Sequence, residues 1–473
     1  MKLYNTLGRQ IQQFQPLKEG EVSLYTCGPT VYDYAHIGNW RSFVFDDTLR
    51  RVLESEGYKV KHVMNITDVG HLTSDADEGR DKLEAGAESR GSSVWDVAEH
   101  FIEIFIKDSE KLNILPPNGY KENRSAYARA TDFIDEQIGI VKILLDKGFA
   151  YKTDEAIYFE VSKLDSYGKL SGQKLEDKEV GAREDVVTDA NKRHPQDFAL
   201  WFFTVGRFAG HEMKWHSPWG TGFPGWHLEC SAIIHATLGD PIDIHTGGVD
   251  HIGTHHANEM AQTEAAFGNK LANFWVHNEH MLVDGKKMSK SLGNYITLEE
   301  VLKRGYAPAD LRLLYLQAHY RSQMNFSWEA LTAASVRLKG YRAFADLRFQ
   351  PGGESALKNE AYIKIQDEIN QALADDISTP KALSLLDALA EQAQDKGSER
   401  EPLVGFLKFI DNALGLELLA SEDINTQQKR LIHQREQARA IKDWKESDAL
   451  REALNKQGLD INDTSRGPVW SRG

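Results

Sequence analysis

The fold is decided by residues 22–66, which read VSLYTCGPTVYDYAHIGNWRSFVFDDTLRRVLESEGYKVKHVMNI. The apolar run Val22–Thr26 is typical of a buried strand, and Gly28 and Pro29 break it. A helical pattern follows over residues 39–56, ended by a glycine, and residues 58–66 resume as a strand. This order predicts a βαβ unit, the seed of a parallel, doubly wound sheet.

Beyond this unit the pattern of apolar and polar residues changes twice along the chain. Residues 93–112 keep the 3.6-residue period of an amphipathic helix. Residues 162–196 are charged and weakly periodic, and residues 120–200 as a whole are interpreted as an insertion. Strand–helix alternation then returns with Ile242–His245 and a helix over His255–Phe267. After about residue 310 the pattern is almost entirely helical.

We therefore predict an α/β fold: a doubly wound parallel Rossmann-type domain with an insertion, followed by an all-α helical bundle and a small C-terminal domain. The predicted bounds are 1–119 and 201–267 for the two halves of the Rossmann-type domain, 120–200 for the connective insertion, 268–315 for a linking domain, 316–420 for the bundle, and 424–473 for the C-terminal domain.

Composition narrows the class of protein. The 473 residues suggest about three domains. The formal charge of −15 argues against a general nucleic-acid coat, although residues 424–473 carry +3. Two cysteines exclude a disulfide framework and favour a reducing compartment. No stretch resembles a signal peptide or a membrane span, so we expect a cytoplasmic protein without a membrane partner.

Two segments are suited to binding phosphate. His36 and Gly38 lie at a strand-to-helix turn, where free backbone N–H groups and the helix dipole favour an anion. Residues 286–294, KKMSKSLGN, form a cationic loop suited to a polyphosphate leaving group. Either segment alone has an ordinary alternative, a structural histidine or a solvated basic loop, and it is their combination that points to function.

The two segments together resemble a known family. His36-Ile37-Gly38-Asn39 is similar to the HIGH signature of class I aminoacyl-tRNA synthetases, and residues 287–291 match their KMSKS signature. CGPTVYD at 27–33, NITD at 65–68, GWHLECS at 225–231 and HYRSQ at 319–323 resemble the cysteinyl-tRNA synthetases within that class, and the likeness spans nearly the whole chain.

The resemblance implies ATP-dependent ligation of L-cysteine to tRNA(Cys) through cysteinyl-adenylate, with Mg²⁺ accompanying ATP. The residues it implies as catalytic are His36, Asn39, Lys287 and Lys290. For ATP binding it implies His36, Gly38, Asn39, Asp250 and Lys290, and for the substrate pocket Thr67, Trp226 and His245. Core packing is the alternative for Trp226, and a turn-stabilising role is the alternative for Asp250.

Both cysteines can contribute to one zinc site with a histidine and a glutamate. His255 and Glu259 are four residues apart and share a helix face, but His256 is also one turn from Glu259, so spacing does not choose between the histidines. The family pattern selects His255 and implies one Zn²⁺ per subunit, held by Cys27, Cys230, His255 and Glu259. Because zinc prefers a thiolate to a hydroxyl, such a site would select cysteine over serine, and we expect no editing role for the insertion.

The sequence departs from the family pattern at two positions. Asn39 replaces the second histidine of HIGH, so a cationic role there is excluded although donation to a phosphate remains possible. Ala257 replaces a carboxylate in the metal-binding segment that is not itself a ligand, which puts a supporting contact in doubt.

The bundle and the basic C-terminal segment resemble the anticodon-binding parts of the family. Predicted tRNA contacts are Arg435, Arg439, Arg451, Asp463, Arg466 and Trp470, since arginine offers donors to phosphates and bases and tryptophan can stack on an unpaired base. The alternative is that they are surface charges and a packed indole.

Two other functions are each compatible with part of the sequence. A cysteine ligase of mycothiol biosynthesis resembles the catalytic part but lacks the extended C-terminal segment. A zinc-dependent RNA-binding protein without catalysis is disfavoured by the intact KMSKS sequence. The expected partners are therefore tRNA(Cys), L-cysteine and ATP, with no obligate protein partner.

Overall fold

The computed structural model describes residues 1–69, 72–74, 78–120, 126–172, 189–289, 292–464 and 466–472. They form two compact units, Met1–Glu300 with Tyr320–Asn325 and Val301–His319 with Phe326–Gly473. No helix in these ranges has both the length and the apolar character needed to span a bilayer.

The strands are β1 Lys2–Asn5, β2 Gln10–Gln13, β3 Glu21–Thr26, β4 Lys59–Ile66, β5 Leu72–Ser74, β6 Glu78–Asp81, β7 Ala128–Arg129, β8 Ala150–Lys152, β9 Ala156–Phe159, β10 Phe198–Phe203, β11 Trp215–Ser217, β12 Gly220–Pro224, β13 Ile242–Gly248, β14 Ala272–Asn278, β15 Met281–Val283, β16 Lys286–Lys287, β17 Met324–Phe326, β18 Leu459–Thr464 and β19 Gly467–Arg472.

The helices are α1 Ile37–Ser55, α2 Lys82–Arg90, α3 Val94–Lys111, α4 Ile134–Asp146, α5 Trp226–Thr237, α6 His255–Phe267, α7 Leu298–Lys303, α8 Pro308–Leu316, α9 Trp328–Asp346, α10 Asn359–Ala374, α11 Thr379–Lys396, α12 Arg400–Leu414, α13 Thr426–Ala440 and α14 Trp444–Asn455.

The first unit is built on a parallel sheet with strand order β14-β13-β3-β4-β7. The order reverses direction at β3, which creates a crevice at the carboxyl ends of the strands. The predicted βαβ unit is confirmed as β3, α1 and β4. Helix α1 ends before Gly57, whose φ of +89° is the left-handed conformation expected at a helix terminus.

The insertion carries an antiparallel sheet of order β11-β12-β10-β9-β8. This sheet continues to Pro224, so residues 201–224, predicted to belong to the second half of the Rossmann-type domain, pair with the insertion instead. The physical reason is the apolar run Phe198–Phe203, whose six residues are all buried between β9 and β12.

The second unit is helical, with α8–α12 packed around leucine and phenylalanine side chains and α13, α14 and the β18–β19 hairpin at its C-terminal end. Ser327 caps α9, and its Oγ accepts from Ala330 N at 3.2 Å. Helix α11 begins at Thr379, with Ser378 before it and a proline in its first turn.

Candidate active site and metal centre

A cleft of about 570 Å³ lies at the carboxyl ends of β3, β4, β13 and β14. It gathers most of the predicted site residues, namely Cys27, His36, Gly38, Asn39, Thr67, Trp226, Asp250, His255 and Lys287. Three others, Cys230, His245 and Glu259, are buried behind its lining. Lys290 lies outside the described residues.

The N-terminus of α1 forms the floor of this cleft. His36 is the N-cap residue: its Nδ1 accepts from Asn39 N, and Asn39 Oδ1 accepts from His36 N, both at 3.1 Å. Burial lowers the pKa of His36 to about 4, so the ring is neutral near pH 7. Since Nδ1 accepts, the ring proton is on Nε2, which can donate to a phosphate oxygen.

The structure of this turn explains why glycine and asparagine suit positions 38 and 39. A Cβ at Gly38 would lie 3.0 Å from the His36 ring, closer than an ordinary van der Waals contact, so the absence of a side chain there leaves room for the ring. The Asn39 side chain completes the capping box, a function that its amide performs without a charge.

The four predicted zinc ligands converge in one buried cluster. One ligand atom from each of Cys27, Cys230, His255 and Glu259 lies within 4.8 Å of all the others. The end of β3 brings Cys27, α5 brings Cys230, and successive turns of α6 bring the other two. His255 Nε2 lies 2.7 Å from Glu259 Oε1 and 3.4 Å from Cys230 Sγ.

The charges in the cluster depend on one another. Burial raises the pKa of Cys27. Burial alone would also raise that of Cys230, but the hydrogen bond from Cys27, together with His255, outweighs it and holds the pKa at about 6. Burial would lower the pKa of His255, but Glu259 and Cys230 raise it to about 10. Near pH 7 the Cys230 thiolate and the Glu259 carboxylate therefore lie beside a protonated Cys27 and a protonated His255, and a divalent cation that binds here would displace those two protons.

The alternative histidine is close as well. His256 Nε2 lies 3.3 Å from Cys27 Sγ, and Cys27, His245, His256 and Glu259 form a second group within the same 4.8 Å limit. The two groups differ in donor type, because the one with His255 offers two thiols. Two sulfurs, one nitrogen and one oxygen suit zinc better than one sulfur does.

Neighbouring rings hold both histidines. Trp226 stacks on His255 with ring centroids 4.1 Å apart, and His227 Nδ1 lies 3.0 Å from His255 Nδ1. On the other side, His256 Nδ1 contacts His277 Nε2 at 2.8 Å. These contacts orient the Nε2 atoms toward the cysteines, as supporting residues do in metal sites.

The remaining pocket residues divide between cleft and core. Thr67 lines the cleft and donates to Glu229 Oε2 at 2.7 Å. His245, predicted to close the pocket near the substrate, does not line the cleft: it is fully buried, with Nε2 2.7 Å from Glu259 Oε2. It therefore orients a predicted ligand.

Asp250 lies in the short turn Val249–His251 that follows β13. It is exposed and lines the cleft, and its carboxylate lies over Gly248, where a Cβ would be 2.3 Å from Oδ1. The position fits both the ribose and the turn interpretation.

The described part of the basic loop is anchored by Asn294. Its Oδ1 accepts from Ser289 N at 2.8 Å, and its Nδ2 donates to Lys287 O at 3.2 Å. Lys287 is exposed at the rim of the cleft. The sequence indicated Asn294 only as part of the loop, whereas the structure shows that its side chain hydrogen-bonds to the backbone of Lys287 and Ser289.

Sequence reasoning missed Arg41 and Glu229. Arg41 is 3% exposed, and its guanidinium donates to Glu279 O at 2.7 Å and His280 O at 2.8 Å. Glu229 is fully buried beside Thr67, and burial, followed by the charge of Cys230, raises its pKa. Charged residues inside otherwise apolar helices were the available signal for both.

The predicted tRNA contacts lie in the second unit, and four of them bind one another. Asp463 binds Arg435 at 2.7 Å, Arg439 at 3.0 Å and Arg451 at 3.4 Å. Arg435 is fully buried. Trp470 is 5% exposed, because β19 turns it into a core cluster with Leu459 and Ile461.

Two exposed side chains of this unit, Ile441 and Trp444, were not predicted as tRNA contacts. Trp444 is 55% exposed and Ile441 77% exposed at the turn between α13 and α14. The Arg439 guanidinium lies 5.6 Å from the Trp444 ring centroid. Arg466 donates to Gln394 O at 2.6 Å within the same unit.

Comparison with known proteins adds independent findings. Residues 13–336 match the family model for the tRNA synthetases class I (C) catalytic domain. The chain is 40% identical to a cysteine--tRNA ligase of Treponema denticola, covering 100% of this chain and 99% of that ligase. It is 42% identical to cysteine--tRNA ligase 1 of Burkholderia lata, covering 99% and 96% respectively.

Solved structures with similar folds are more distant in sequence. Methionyl-tRNA synthetase of Mycobacterium tuberculosis, in complex with methionyl-adenylate, matches with a TM-score of 0.59 at 14% identity, over 85% of this chain and 92% of that one. Agrobacterium radiobacter K84 agnB2 LeuRS, in a ternary complex with tRNA and LeuAMS, matches with a TM-score of 0.60 at 12% identity, over 87% of each chain. These likenesses concern the fold alone.

Proposed function

The chain belongs to the cysteine--tRNA ligase family of class I aminoacyl-tRNA synthetases, enzymes that charge tRNA with cysteine, and from that membership we propose a two-step reaction for it. In the first step the carboxylate of L-cysteine attacks the α-phosphorus of ATP, giving cysteinyl-adenylate and pyrophosphate. In the second step the adenylate passes cysteine to the 3′-terminal ribose of tRNA(Cys), and AMP leaves.

The observation that carries this proposal is the convergence of Cys27 and the α1 N-terminus in one cleft, with Cys230 buried behind its lining. Cys27 and Thr67 line the part of the cleft beside the metal-binding cluster, and His36 lies at the helix N-terminus. A cysteine bound at the cluster would therefore have its carboxylate near the phosphate-binding turn. Such a reaction needs positioning and charge stabilisation rather than a covalent enzyme intermediate.

Each proposed phosphate ligand has a distinct task. His36 donates from Nε2 to an oxygen of the reacting phosphate while its Nδ1 stays fixed by the α1 cap. Lys287, with Lys290 of the same loop, neutralises the pyrophosphate leaving group, and Mg²⁺ accompanies ATP. Asp250 accepts from a ribose hydroxyl.

We further propose that Cys27, Cys230, His255 and Glu259 hold one Zn²⁺ per subunit. The buried S/S/N/O donor set and the depressed pKa of Cys230 support this assignment. When bound, zinc would supply a Lewis acid that binds the thiolate of substrate cysteine far better than the hydroxyl of serine. That selectivity makes a hydrolytic role for the insertion unnecessary.

The exposed turn between α13 and α14 is the best-supported tRNA contact. Trp444 is exposed and the Arg439 guanidinium lies over its ring, a combination suited to stacking on an unpaired base. Arg435, Asp463 and Trp470 act indirectly, by holding the hairpin and α13 together. The chain is proposed to be cytoplasmic, with no obligate protein partner.

Charging of total tRNA with labelled cysteine, with labelled serine as the control, tests the proposed function. Cysteinyl-tRNA should form with ATP present and seryl-tRNA should not. Attachment of cysteine to an amino sugar rather than to tRNA would favour the rival ligase, and absence of cysteine-dependent pyrophosphate exchange would favour an RNA-binding protein. Release of serine from seryl-tRNA would contradict the absence of editing.

A further inference from the structure

Asn278 is the last residue of β14, and its side-chain amide nitrogen is hydrogen-bonded whereas its amide oxygen is not. It is 4% exposed and lines the cleft. Its Nδ2 donates to Ser42 Oγ at 2.8 Å and to Glu279 O at 3.4 Å, while Oδ1 is buried and has no hydrogen-bond partner among the described residues. Since the carbonyl of Glu279 can only accept, the amide orientation follows, and Oδ1 is an acceptor awaiting a donor.

The backbone acceptors of the following turn are already used. Arg41 Nη1 donates to the carbonyl oxygens of both Glu279 and His280, and Met324 N donates to His280 O at 3.2 Å. The buried guanidinium thereby fixes the segment that leaves β14. Asn278 lines this end of the cleft, and its buried Oδ1 is a held acceptor that has no partner among the described residues.

The strand order shows which ligand group arrives there. Thr67 follows β4, Cys27 follows β3, Gly248 ends β13, and Asn278 ends β14 in register with Gly248. Adjacent strands are about 4.8 Å apart, so these four ends span about 14 Å. If the amino acid lies at β4 and β3, the phosphate at the α1 N-terminus and the ribose at Gly248 and Asp250, the base lies at β14.

We propose that Oδ1 of Asn278 accepts a hydrogen bond from the exocyclic N6 amino group of adenine, which makes Asn278 a specificity determinant for ATP. This inference rests on the proposed function. Guanine and hypoxanthine carry an acceptor oxygen at the same position and would face Oδ1 with like polarity. The amide cannot turn over to suit them without setting Oδ1 against the carbonyl oxygen of Glu279, which can only accept.

The test measures cysteine-dependent pyrophosphate exchange with ATP and with purine riboside 5′-triphosphate, which lacks the N6 amino group. For the unaltered chain we expect KM to be about tenfold lower for ATP than for the purine analogue, the effect of one hydrogen bond to a buried acceptor. For Asn278→Ala the two KM values should become equal, with the KM for cysteine unchanged. Asn273→Ala, on the same strand but outside the cleft lining, is the matched control and should keep the tenfold ratio.

The ratio is measured within each variant, so partial misfolding does not affect it. An Asn278→Ala protein that keeps the tenfold preference, or that raises KM for both nucleotides alike, would overturn the proposal, the second result assigning Asn278 to holding the segment. Absence of exchange with ATP in the unaltered chain would contradict the proposed function itself, a distinct outcome.

Discussion

His255 and His256 are neighbours in sequence, but their surroundings shift their pKa values in opposite directions. Glu259 and Cys230 raise the pKa of His255 despite its burial, whereas burial lowers the pKa of His256, with His245 adding to the effect. A cluster that already concentrates negative charge on His255 is the one in which a cation replaces a proton most readily. This difference leads to a metal-content prediction that separates the two histidines.

We expect His255→Asn to be purified without zinc, because it removes a ligand. His256→Asn should retain about one zinc per chain when zinc is supplied, since loss of a supporting contact typically lowers affinity by about 10–100-fold only. Metal analysis after gel filtration measures both. The reverse result would assign the site to the group containing His256.

The basic loop yields a second prediction at a single residue. Lys290→Ala should lower cysteine-dependent pyrophosphate exchange by about a hundredfold or more, because it removes a charge that stabilises the departing pyrophosphate. Zinc content should stay at the unaltered level, since the loop contributes no proposed ligand. Exchange at the unaltered rate would refute the assignment of Lys290.

At the scale of elements, α1 performs two tasks with one turn. Its capping box satisfies the backbone groups of His36 and Asn39 and at the same time fixes the tautomer of the His36 ring. Helix α3 is capped more simply, with Ser93 Oγ accepting from Asp96 N at 3.1 Å outside the cleft lining. Substitutions in the two caps, one in the cleft and one outside it, can therefore separate an effect on stability from an effect on catalysis.

We expect Asn39→Ala and Ser93→Ala each to lower the free energy of unfolding by about 1 kcal/mol, the usual cost of a lost cap. Only Asn39→Ala should also lower pyrophosphate exchange, by about tenfold or more, because it removes a side-chain amide predicted to bind ATP, whereas the backbone N–H of residue 39 still donates to His36 Nδ1. Chemical denaturation and exchange assays on the same preparations measure both effects. Equal activity loss in the two variants would show that the effect is one of stability alone.

At the scale of the molecule, adenylate chemistry and tRNA recognition are assigned to different compact units. The cleft lies entirely within the unit Met1–Glu300 with Tyr320–Asn325, and the exposed Trp444 lies in the other. The net charge of −15 is likewise uneven, with +3 on residues 424–473. A change in the second unit should therefore alter tRNA charging without altering the first step.

Trp444→Ala should raise the KM for tRNA by about tenfold, the cost of one lost base–aromatic stack, and should leave pyrophosphate exchange unchanged. Trp95→Ala, which removes a comparably exposed indole from the first unit, is the control and should change neither quantity. Steady-state aminoacylation and exchange assays give the two readouts. An unchanged KM for tRNA in the Trp444 variant would remove this turn from the proposed interface.

The sequence by itself determined the βαβ unit, the class of fold, the family and several residues of the cleft lining. These follow from local periodicity and short motifs, in which each element and its turn are contiguous in the chain. The turn before α1, the i, i+4 pair of α6 and the end of β3 could all be read in this way.

Only the tertiary structure decided which long-range partners each side chain meets. His245 is behind Glu259 rather than in the cleft, Trp470 packs in a core, and Asn278 keeps an unpartnered oxygen because Ser42 and Glu279 take its amide. Burial and hydrogen-bond partners arise from segments far apart in sequence. The same residue types would be equally compatible with an exposed or a buried role until those segments are packed together.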